Sequence, residues 1–187
     1  EFLEADRKRN MPYIYKRIEY LGSLASLNTE LNSFTLKRPD YRQLYEMWDK
    51  LVPKELLKQQ IALRDENLTN LDLQAKEKSF SPKAVRLLKN NILLSWASYL
   101  FDYEGERRYS AGTNKNNTSL QEPLPSGFYD FLQVLDLQDK ELVISPEFST
   151  FINRFEYCTP LSEPMNKPSV IPAISFFQYL KNTKEDH

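Results

Sequence analysis

At 187 residues and 41% apolar content, the chain can fill the core of one sizeable domain or two small ones. Its 25 basic and 26 acidic residues leave a net charge of −1. That balance offers no basic excess to neutralise phosphates, so no nucleic-acid partner is expected. One cysteine, Cys158, and one histidine, the last residue His187, exclude an internal disulfide, a CxxC pair, a thiolate zinc site and a His-based catalytic set.

The chain starts Glu1-Phe2-Leu3-Glu4, with no starting Met, basic n-region or apolar h-region. It reads as a piece cut from a longer protein. No apolar run approaches the ~20 residues that cross a bilayer, so no transmembrane segment is expected.

Residues 11–20 alternate with a period of two, Ile14, Ile18 and Tyr20 against Tyr13 and Tyr15, which predicts a strand. A lone strand needs an edge partner, so residues 1–20 read as the remnant of a preceding β domain. From Ser23 the period becomes helical. Leu24, Leu27, Leu31 and Phe34 line one face of about three turns. Pro39 suits the first turn of a second helix with an inner stripe of Tyr41, Leu44, Tyr45, Trp48 and Leu51, and Pro53 opens a third. The aliphatic face of that third helix is predicted from Leu56, Leu57, Ile61, Leu63, Leu68, Leu71 and Leu73.

Ser81-Pro82 supplies an N-cap and first residue for the most regular pattern in the chain: Val85, Leu88, Ile92, Trp96, Tyr99, Leu100 and Tyr103. Gly105 is placed to end that helix. The polar stretch 105–125 predicts a long surface loop. Ser126 is then expected to cap a short helix through Phe128 and Phe131, and Ser145-Pro146 to start another through Phe148, Phe151 and Phe155. Pro160, Pro164, Pro168 and Pro172 make residues 160–187 a Pro-rich linker with a terminal helix. The expected fold is all-α: an irregular bundle of about seven helices after a short β remnant, with 21–159 as the helical domain.

Paired carboxylates can divide acid and base work, and Asp102, Glu104 and Glu106 lie together beside Arg107 and Arg108. At a Gly-containing helix end they read as a solvated, salt-bridged terminus. Asp65, Glu66 and Asp72 lack the oxygen spacing and central glycine of a calcium loop and read as a polar helix face. Asn67-Leu-Thr, Asn116-Asn-Thr and Asn117-Thr-Ser match the N-glycosylation tripeptide, with Asn67 inside a helix. Cys158 is expected to be a buried, inert thiol. No residue is assigned as catalytic, cofactor-binding or metal-binding, and no cofactor is implied.

Three stretches together resemble the TlpA-like thiol-disulfide oxidoreductases of Gram-negative cell envelopes. Leu21 to Leu31 resembles the point where their N-terminal β domain gives way to helices. The stretch from Phe80-Ser-Pro-Lys-Ala-Val through Ser98-Tyr-Leu-Phe-Asp-Tyr103 is similar to the long helix of their middle region. Leu124-Pro-Ser-Gly-Phe-Tyr-Asp-Phe-Leu132, then Ile144-Ser-Pro-Glu-Phe148 and Phe151 to Tyr157, resembles the segment just before their thioredoxin domain. The resemblance covers residues 20–157.

It implies a periplasmic or envelope-associated parent in which this is the helical middle, a non-catalytic spacer whose partners are its own neighbouring domains and protein substrates. The family's CxxC is missing from this chain, so none of its catalytic residues carries over. The alternative reading of the residues is a stand-alone helical scaffold that binds proteins or peptides.

Overall fold

A computed structural model describes residues 19–158, and the fold there is all-α. Of the expected strand at 11–20 only Glu19 and Tyr20 are described, in neither helix nor strand, and residues 160–187 lie outside the described range. Six α-helices and two 3-10 helices make up the described region.

Helix α1 (Ala25–Ser33) is shorter than its apolar pattern, because Leu24 is its N-cap and Phe34 its C-cap. Helix α2 (Tyr41–Met47) is capped by Asp40, whose carboxylate accepts from Gln43 N. Pro39 therefore precedes the cap and does not occupy the first turn. Within the expected stripe of α2 only Leu44 is fully buried, while Tyr45 is 56% exposed. The helix is too short to bury more than one ridge.

Helix α3 (Pro53–Glu77) begins on its proline as expected. Its inner face is Leu56, Gln60, Asn67 and Leu71, so two buried positions are polar, and Leu73 is exposed. It ends in a Schellman turn: Phe80 N donates to Ala75 O, and Ser79 takes the left-handed conformation at φ 54°.

Helix α4 (Pro82–Thr113) starts where Ser81-Pro82 placed it, with Ser81 Oγ accepting from Ala84 N. Its 32 residues span about 48 Å and make it the axis of the fold. Every residue from Ile92 to Phe101 is buried, because α3 covers one side, α6 (Phe148–Glu156) another, and the 3-10 segments a third. Aromatic edges fill the centre. Phe101 meets Phe131 at 5.1 Å, Phe155 at 5.8 Å and Phe151 at 5.9 Å between ring centroids. A second, smaller cluster joins Phe34, Leu71, Leu88 and Ile92 near the start of α4.

Gly105 does not end α4. The helix continues through Gly105 and Gly112 to its C-cap at Asn114, and the short helix α5 (Thr118–Gln121) breaks up the expected loop. An interior glycine costs about 1 kcal/mol relative to alanine, and the buried partners of Tyr103 and Arg107 on either side outweigh it. Ser126 does not cap the next segment. Gly127 does so at φ 76°, and Phe128–Val134 is a 3-10 helix in which Phe128 and Phe131, one turn apart, are both buried. The second 3-10 helix is Lys140–Ile144.

Candidate functional site

The only clustered chemistry proposed from the sequence, residues 102–108, lies inside α4, and its key members are buried. Glu104 and Arg107 are each 4% exposed. The expected solvated, salt-bridged helix end is corrected in part: ion pairs form and Arg108 stays exposed, but α4 extends past this point and Glu104 and Arg107 are buried.

Asp102 and Glu104 stand about 200° apart around the helix axis, so they meet different neighbours. Asp102 Oδ1 accepts from Arg154 Nε of α6 at 2.5 Å. Burial pushes the Asp102 carboxyl above its ordinary value, and Arg154 opposes that shift. Glu104 pairs with Arg108 at 3.1 Å, and Arg108 also donates to Tyr157 O at 2.6 Å. The two carboxylates share no proton and face no common space.

Arg107 forms the densest junction. Its guanidinium donates to Ser119 O at 2.6 Å, Glu122 O at 3.1 Å and Leu51 O at 3.5 Å, and lies 5.6 Å from the Tyr103 ring centroid. Tyr103 OH donates to the same Leu51 carbonyl at 2.6 Å. Burial, first among its causes, pushes the Tyr103 hydroxyl up to about 12, so it remains a donor throughout the ordinary pH range. Chemically, this arrangement ties the α2–α3 turn and the α5 segment to α4.

The other sequence candidates separate in space. Asp65 pairs with Arg64, and Glu66 with Lys37 at 2.8 Å. Among the described residues, no three His, Cys, Asp or Glu side chains converge on a possible cation position. Asn67 is buried, with its amide bonded to the backbone of Lys37 and Leu63. Asn117 caps α5 by accepting from Ser119 N. Asn116 is exposed on the turn before it. Cys158 is buried in the main core beyond α6, where its N–H donates to Phe155 O.

Three polar anchors escaped the sequence reading: the Arg107 junction, the Asn67 amide, and Asp139. Asp139 accepts from Arg86 at 2.9 Å and Asn90 at 3.1 Å, both on one face of α4, and caps the second 3-10 helix through Glu141 N. Only the four-residue spacing of Arg86 and Asn90 hinted at a shared face; nothing local linked that face to residue 139. Among the described residues, buried Gln60 Oε1 and Trp96 Nε1 find no hydrogen-bond partner, and Arg64 lies over the Trp96 ring at 4.5 Å.

Fold and polar layer together define an all-α helical domain whose buried ionic and amide groups join one helix to the next. No described helix is long and apolar enough to cross a membrane. No family model, curated protein or solved structure matches the chain.

Proposed function

We propose that this chain is a non-catalytic helical spacer and interaction domain of a TlpA-like, cell-envelope thiol-disulfide oxidoreductase, positioning a redox domain that carries the CxxC. The observation that carries the reading is the ordered series Leu124 to Leu132, Ile144 to Phe148 and Phe151 to Tyr157. A second support is the use of the 102–108 charges: Asp102, Arg107 and Arg108 each bind a group on another segment. A rigid spacer needs such ties, since a flexible one would not hold its neighbours in register.

The reading places the parent in the periplasm or at the envelope, and its partners are the flanking β and thioredoxin domains and their protein substrates. The test is the parent reading frame. A downstream α/β domain bearing CxxC, with activity in an insulin-reduction assay on the full-length protein, supports it. A frame with no such domain sinks it.

A second reading, a stand-alone scaffold that binds proteins or peptides, is favoured by the exposure of Tyr45, Met47 and Val52 within one short stretch. That reading predicts no CxxC in the frame.

A further inference from the structure

The chain on the two sides of Phe34 is held in different ways. From Phe34 onward it is embedded: Phe34 is buried against Leu71, Leu88 and Ile92, and the Asn67 amide brackets the backbone of Lys37. Before Phe34 it lies on the surface of α4 and is at most half-buried. No residue of α1 is fully buried, and Leu31 packs half-buried against the small cluster.

The polar contacts are equally uneven. At the Phe34 end, Lys78 Nζ donates to Ser33 O at 2.9 Å. The bonds of Ser26 and Thr29 stay within α1. Among the described residues, the polar side chain by which α1 reaches another element is that of Glu30: its Oε2 accepts from Ser81 N at 2.9 Å and Ser81 Oγ at 2.6 Å. Ser81 is the N-cap of α4 and at the same time accepts from Ala84 N. A carboxylate there completes the cap and meets the positive end of the longest helix dipole in the fold.

We propose that α1 is a hinged arm, latched to the first turn of α4 by Glu30 and pivoting at Phe34 when that latch opens. The inference does not depend on the redox reading, because it requires only the contacts of residues 25–37. A helix with no fully buried residue, held by the Glu30 clip, the half-buried Leu31 and the Lys78–Ser33 contact at its hinge end, is expected to open locally at a free energy well below that of the whole domain.

Amide hydrogen exchange on the whole chain at neutral pH, read by mass spectrometry, tests this. Amides 28–33 of the wild-type chain are expected to exchange at least tenfold faster than those of 92–100. Glu30→Ala should speed 28–33 by a further factor of about ten and leave 92–100 within twofold. Glu30→Gln, which keeps an acceptor but loses the charge, should fall between the two. Equal protection of α1 and α4 in the wild type would overturn the proposal, as would a Glu30→Ala chain that speeds both regions together, leaves α1 unchanged or fails to fold.

Discussion

The amide of Asn67 brackets one residue of a distant segment: Oδ1 accepts from Lys37 N at 3.0 Å, and Nδ2 donates to Lys37 O at 2.9 Å. A buried amide on α3 thus stands in for the strand partner that the extended stretch between α1 and α2 lacks. Replacing it with alanine leaves Lys37 N–H and C=O without these partners.

Asn67→Ala is accordingly expected to lower stability by about 2–3 kcal/mol, seen as a reduced urea midpoint. Asn67→Asp should be worse at neutral pH than in acid, because its charge would face the carbonyls of Lys37 and Leu63. Equal midpoints for wild type and Asn67→Ala would show that the bracket contributes nothing.

Arg107 spreads its donors over carbonyls from two segments. Arg107→Met should cost about 1–3 kcal/mol, since it removes a buried guanidinium that joins three carbonyls of two other segments. Arg107→Lys should recover only part of that, because a single ammonium cannot reproduce the planar fork. Chemical denaturation measures both, and full rescue by lysine would mean that charge alone suffices.

Asp139 carries the pH prediction. Its hydrogen bonds to Arg86, Glu141 N and Asn90 hold its carboxyl at about 2, below its ordinary 3.8. A depressed acid contributes stability that is fully present above the unfolded value and is lost as pH falls through the folded one. The wild-type midpoint should therefore drop between pH of about 4 and about 2, and Asp139→Asn should flatten that part of the curve. Parallel acid curves for the two proteins would rule out the linkage.

Two backbone substitutions should stabilise. Ser79 sits at φ 54° in a Schellman turn, where glycine carries no Cβ penalty. Gly105 lies inside α4, where a Cβ would meet nothing within 4 Å beyond the helix's own neighbouring backbone. Ser79→Gly and Gly105→Ala should each raise stability by about 0.5–1 kcal/mol. Calorimetry of the two variants and their combination should show additive gains, since Ser79 lies in the turn before α4 and Gly105 about six turns into that helix.

The sequence disclosed what depends on neighbours along the chain. Ser81-Pro82 marked the start of α4 because a cap needs only the next three amides. The stripe from Val85 to Tyr103 marked its buried face, because an apolar period of 3.6 has one geometric reading. Asn67 was legible as helical, though not as a clamp, since its partner is 30 residues away.

The end of α4 was the clearest misreading. Gly105 carries the local signature of a stop, yet the helix runs on because the buried Tyr103 and Arg107 on either side of it hold carbonyls of other segments. Those carbonyls belong to residues 51, 119 and 122, so no window around 105 contains the information. The same holds for the charges at 102–108: their composition suggested solvent, which Arg108 keeps, whereas Glu104 and Arg107 are buried by neighbouring segments.

By itself, then, the sequence determined an all-α chain, the start of its long helix, its aromatic core residues, and the lack of a second cysteine or an internal histidine. Where that helix stops, which polar groups are buried, and that Glu30, Asn67, Arg107 and Asp139 each tie distant segments together were decided only by tertiary structure. Helix periodicity and capping are set within a few residues. A buried amide or guanidinium is stabilised only once the fold has brought its far partners within hydrogen-bond reach.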